Sequence, residues 1–121
     1  MTVKISDSDY PIEYDPPKIV RGADWIGWAF DLVEDDNVTP INTTDYTAQM
    51  VIMESWNGET YKTLSIGDGI TMTAASGLFN ISMSKTDIDA LNFRTAVYKL
   101  IVTDDNGGIT PFFMGKLEII G

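Results

Sequence analysis

The chain has 121 residues, 44% of them hydrophobic, which is one ordinary domain with enough apolar material for a packed core. It contains no cysteine and no histidine. That excludes a disulfide framework and a thiolate metal site, and removes both the commonest zinc ligand and the usual base of a catalytic triad. Eighteen acids against 8 bases give a formal charge of −10, which disfavours nucleic acid and anionic membrane as partners and suits docking to a basic protein surface. No apolar run approaches the length of a bilayer span, and the first ten residues lack the apolar core of a secretory signal. Synthesis and assembly in the cytosol are expected.

Residues 1–17 have the composition of an extended arm. Val3 and Ile5 alternate with polar neighbours before Asp7, Ser8, Asp9 and Pro11 break the pattern, and Pro16-Pro17 fixes an extended path without two donors. The arm is either a mobile leader or a segment that adds as a strand to a neighbouring subunit. Residues 18–121 form the domain. Asp24 to Val33 (DWIGWAFDLV) alternates at period two, with Ile26, Trp28, Phe30 and Leu32 on one stripe and Trp25, Gly27, Ala29 and Asp31 on the other. Trp28 is a core candidate. Trp25 lies on the opposite stripe, where it either packs in the core or at an edge, or meets a partner, since Trp is enriched at interfaces.

Glu34 to Pro40 is a turn by composition; its acids lack the spacing of a calcium loop and are expected to be solvated. Tyr46 to Trp56 alternates with apolar residues on both faces around Met50 to Met53, which suits cover on both sides or a partner contact. Helix competes here because Ala, Gln and Met tolerate it, but Asn57-Gly58 argues for a hairpin toward Tyr61–Leu64. Short strands follow at Ile70–Thr73 and Leu78–Met83. Ser84 to Leu91 is the one plausible helix, about two turns long, with Ser84 as N-cap and Asp87 favourable in the first turn.

The closing segment carries the strongest hairpin signal: Thr95–Thr103 and Ile109–Ile120 alternate about Asp104-Asp105-Asn106-Gly107-Gly108, residue types that a tight turn selects. Period two puts Pro111, Phe113, Gly115, Leu117 and Ile119 on one face and Phe112, Met114, Lys116, Glu118 and Ile120 on the wet one. About seven short strands, separated by turns and interrupted by one helical turn, predict an all-β antiparallel sandwich, with a small closed barrel as the alternative.

Arg21-Gly22-Ala23-Asp24 before an aromatic strand, Asp45 to Met50, Gly67 to Ile70, Gly77 to Ser84, Thr86 to Leu91, Val97 to Asp104 and Gly115 to Ile119 follow one another in an order that resembles small immunoglobulin-like β-sandwich virion proteins of tailed bacteriophages. These include the N-terminal domains of upper baseplate proteins. The resemblance covers residues 18–121 and is one of strand-and-turn cadence. The chain departs from it at Tyr98-Lys99, where the family often has Tyr-Asp, and at Gly121, where no receptor-binding extension follows. It implies an immunoglobulin-like sandwich and a non-enzymatic structural or adaptor role in a tail, neck or baseplate. Its partners would be other phage structural proteins, in a homo-oligomer or symmetric ring within the virion, without cofactor or metal. Contacts are expected from Val3, Ile5, Tyr10, Ile12 and Tyr14 of the arm, and from Trp25 and Phe112. Capsid decoration is the alternative within this class. A carbohydrate-binding module, stacking sugars on Trp25, Trp56 and Tyr61, is the alternative outside it. An enzyme built on paired carboxylates has no motif to single a pair out.

Overall fold

In the computed structural model the described residues are 2–4, 11–34, 36, 38–56 and 58–121, without the side chain of Lys4. The expectations for Ile5, Tyr10 and the Asn57 position of the second hairpin lie outside them. The chain is all-β. Its strands are β1 (Thr2–Lys4), β2 (Ile12–Glu13), β3 (Ile19–Val20), β4 (Trp25–Val33), β5 (Thr47–Met53), β6 (Thr60–Ile66), β7 (Gly69–Thr73), β8 (Leu78–Met83), β9 (Thr95–Thr103) and β10 (Ile109–Ile120). A single 3-10 turn spans Ala74–Ser76 and a single α-helix, α1, spans Lys85–Asp89, among the described residues.

The ladder runs β1-β4-β8-β7-β6-β5-β9-β10-β2, with β3 also on β10. It is mixed, where a purely antiparallel arrangement was predicted. β1 runs parallel to β4, β2 and β3 run parallel to β10, and β6 meets β7 in parallel over Ser65–Ile66. The cause is non-local. The N-terminal segment travels alongside two strands that point its own way, and the chain coils through a full turn between Ser65 and Ile70, closed by Ser65 N to Asp68 O at 3.0 Å and Gly67 N to Ile70 O at 2.9 Å.

The sheet curls so that β4 faces β9 and β10 without sharing a ladder with them. Aromatic rings fill the space. Phe30 stacks on Phe79 with centroids 5.0 Å apart and meets Phe113 at 4.9 Å, while Trp28 reaches Tyr98 at 5.5 Å and Phe113 at 5.8 Å. Such pairs add to the burial of large apolar area. The Trp28 indole N–H has no hydrogen-bond acceptor among the described residues and lies surrounded by rings, a desolvation cost that the burial of the ring itself outweighs.

Three β-bulges interrupt the ladders among the described residues; one lies between β5 and β6 at Ile52 and Met53, and the other two break the period-two pattern of β4 and β10. In β4 the register against β8 shifts between Ile26 and Ala29. The inner face is therefore held by Trp25 before the shift and by Trp28, Phe30 and Leu32 after it, and Ile26 is turned out, 85% exposed. Gly27 occupies the bulge, where a Cβ would stand 2.8 Å from the Ile81 carbonyl oxygen. In β10 the register against β9 shifts between Pro111 and Phe113, so Phe112 and Phe113 are both buried. An extra residue on one strand reverses the parity of all that follow.

Local chemistry decided the rest much as expected. Ser84 caps α1 and its Oγ accepts from Asp87 N at 3.3 Å. The Asp104 carboxylate accepts from Asn106 N at 2.9 Å and Gly108 N at 2.8 Å, holding the hairpin turn. Asp36 does the same for Val38 N and Thr39 N, and also accepts from the Thr39 hydroxyl. These bonds favour the charged form and hold its carboxyl below the usual range.

Candidate protein-contact surfaces

Over residues 11–17, the stretch with an arm's composition is bonded along β10 of the same chain. Tyr14 N donates to Met114 O at 2.9 Å, Lys116 N donates to the Asp15 carboxylate at 3.0 Å, and Tyr98 OH donates to Tyr14 O at 2.5 Å. Burial, and behind it the charge of Asp15, push the Tyr98 hydroxyl well above the ordinary tyrosine range. A hydroxyl raised in the folded state contributes its full stability below the unfolded value of about 10 and loses it as pH rises through the folded value. Stability is therefore expected to hold up to about pH 10 and to fall above it. Tyr98→Phe should flatten that alkaline slope while costing about 1 kcal/mol at neutral pH for the lost bond. Urea titrations at neutral and alkaline pH check both.

The expected contact residues are not gathered on one surface. Val3 pairs with Leu32 and is buried. Ile12 pairs with Phe113, and Tyr14 packs its ring on Trp28 at 5.3 Å; both are half-buried against the core. Trp25, for which core packing and a partner contact were both open, is 4% exposed, and its Nε1 donates to Pro17 O at 3.0 Å. Phe112, expected on the wet face, is 1% exposed. Both are turned inward by the bulges. The same burial removes Trp25 from a sugar-stacking platform, and Tyr61 lies flat on Phe93 with centroids 4.7 Å apart.

Three other features are open to a partner. The first is the edge of β6. Its residues Thr60–Leu64 pair with β5 on one side and with no strand on the other among the described residues, since β7 takes up only Ser65 and Ile66. Exposed Trp56 lies in the connection between β5 and β6, and Tyr61, a residue of β6, keeps part of its ring exposed while stacked on Phe93. The second is a groove of about 570 Å³ between the N-terminal segment and the start of β9, lined by Asp15, Lys18, Glu54, Thr95, Lys116 and Glu118. The third adjoins it at Thr95 and Glu118, a groove of about 500 Å³ carrying Arg21, Asn92, Arg94 and Ile120. Lys18 and Glu118 pair across the first at 3.5 Å. Arg21 spends its guanidinium on the turn after α1, with Nη1 donating to Leu91 O at 2.6 Å and Nη2 to Phe93 O at 3.1 Å, which ties that turn to the end of β3.

Sequence reading did not find these grooves, because Lys18, Arg21, Arg94 and Lys116 meet only through the pairing of β3, β9 and β10. Among the described residues, no group of three or more acidic side chains is placed to hold a metal ion. No helix of the described residues is long and apolar enough to cross a membrane. No protein-family model matches the chain, and no curated protein matches it.

Proposed function

We propose that this chain is a non-enzymatic structural or adaptor protein of a tailed-phage virion, assembled in the host cytosol and acting in the tail, neck or baseplate through contacts with other structural proteins and with copies of itself. The cadence of residues 18–121 motivates the phage assignment. The observation that carries the binding role is the edge of β6 that no strand pairs among the described residues, with exposed Trp56 in the connection leading into that strand. An unpaired strand presents backbone donors and acceptors to another chain, and exposed aromatics beside it supply apolar anchorage. The immunoglobulin-like description of the fold belongs to the same proposal, supported by the way β4 faces β9 and β10 through Trp28 and Phe30.

Quantifying the chain by mass spectrometry in purified virions, against the major capsid protein, tests the assignment. A ratio of a few rings of subunits is expected. A ratio near that of the capsid protein would favour head decoration, and absence from particles would overturn the virion reading. Trp56→Ala removes an exposed ring and should change stability by less than about 0.5 kcal/mol. It should nevertheless reduce incorporation into particles; undiminished incorporation would remove the β6 edge from the contact.

A further inference from the structure

The tip of the β9–β10 hairpin holds a reactive pair of residues. Asn106 is followed by Gly107 and Gly108, and all three are exposed. Asp104 holds their backbone. Its carboxylate accepts from Asn106 N and Gly108 N, and its carbonyl oxygen accepts from Gly107 N at 3.1 Å, toward the long end of the range for such a bond. The side-chain amide of Asn106 has no hydrogen-bond partner among the described residues. Gly107 lies at φ +86°, and nothing stands within 4 Å of the place where a Cβ would be. The nitrogen that follows the Asn106 side chain is therefore in open space.

Asparagine is thermolabile because its amide carbon can be attacked by the backbone nitrogen of the next residue. The nitrogen forms a bond to Cγ, the bond from Cγ to the amide nitrogen breaks, and ammonia leaves with the displaced proton. The product is a cyclic imide. Water opens it at one carbonyl to give aspartate, or at the other to give isoaspartate, in which the main chain runs through the side chain. No oxidant or reductant takes part. A side chain on the attacking residue obstructs the approach, and glycine has none. Among the described residues Asn42, Asn80 and Asn92 precede Thr43, Ile81 and Phe93, and Asn106 alone precedes a glycine. Asn42 is also held, its Oδ1 accepting from Thr44 N at 3.0 Å.

We propose that Asn106 is a site of spontaneous conversion to aspartate or isoaspartate, and that Asp104 sets its rate. Gly107 N must leave the Asp104 carbonyl to reach Cγ, so attack waits on a local opening of the turn. The two bonds to the Asp104 carboxylate oppose that opening. Once formed, the product adds a negative charge beside Asp104 and Asp105, and isoaspartate lengthens the backbone of a turn whose N–H groups are matched to one carboxylate. Both loosen the tip for good.

Peptide mapping of the full chain during incubation at mildly alkaline pH tests this. The peptide that holds Asn106 should gain one mass unit, and more slowly at mildly acidic pH, where the attacking nitrogen keeps its proton. The same chain unfolded in urea gives the rate without the turn. Asp104→Ala removes two bonds to a charged group and should raise the native rate about tenfold, toward that of the unfolded chain. Tyr98→Phe loosens the hairpin near the N-terminal segment instead, and should leave the rate at Asn106 unchanged. Circular dichroism shows that both variants are folded. Asn106 intact in the native chain after the unfolded chain has converted overturns the site. Equal rates in the wild type and Asp104→Ala, or an equal rise in Tyr98→Phe, overturn the control by Asp104. Neither result bears on the virion assignment, which particle composition decides.

Discussion

Replacing Phe112 with alanine is expected to destabilise the fold by about 4 kcal/mol, the usual cost of emptying a buried phenylalanine site. Period-two alternation gives the opposite expectation. It puts Phe112 on the wet face with Lys116 and Glu118, where truncation changes stability by no more than about 0.5 kcal/mol. The structure decides for the larger value because β10 carries an extra residue between Pro111 and Phe113. That bulge lets Phe112 continue the inner face begun by Thr110, while Phe113 opens the inner face of the remainder. Phe112 is 1% exposed, with its ring centroid 6.4 Å from that of Phe30. Ile26→Ala is the matched control. Alternation assigns Ile26 to the core, the bulge in β4 turns it out, and its loss should cost less than about 0.5 kcal/mol. Equilibrium urea unfolding followed by tryptophan fluorescence measures both. A small effect at Phe112 together with a large one at Ile26 would mean that the strands keep unbroken parity and that both bulges are wrong.

Gly115→Ala is expected to cost about 3 kcal/mol, more than its single added methyl would suggest. A Cβ at position 115 would collide with the carbonyl oxygen of Tyr14. That oxygen cannot yield freely, because it accepts from Tyr98 OH, and the same residue donates its N–H to Met114 O. Relief requires residues 14–15 to lift from β10, which also breaks the bond from Lys116 N to the Asp15 carboxylate. Amide hydrogen exchange separates this from general loosening. Protection should fall at Tyr14 and Lys116 well before it falls at Met50 and Leu100, whose side chains are fully buried in the middle of the β5–β9 ladder. Unchanged stability and unchanged protection at Tyr14 would show that the N-terminal segment is not held down at Gly115.

The all-β class, the hairpin of β9 and β10, the single helix capped by Ser84 and most of the inner stripe (Trp28, Phe30, Tyr98, Leu100) were legible in the amino-acid sequence. Each follows from interactions between residues a few positions apart. Alternation sets strand faces, Asp104 and Gly108 suit the backbone of a tight turn, and a serine hydroxyl satisfies an N–H three residues on. What a strand pairs with is not a local property, and there tertiary structure decided. It laid residues 2–4 and 12–13 in parallel on β4 and β10, left one edge of β6 unpaired among the described residues, and brought Lys18, Arg21, Arg94 and Lys116 from three separate segments to one end of the sheet. It also placed the bulges. An extra residue in a strand is set by the length and register of its partner, so neither Trp25 nor Phe112 could be assigned to its side of the sheet from its own neighbours in the chain.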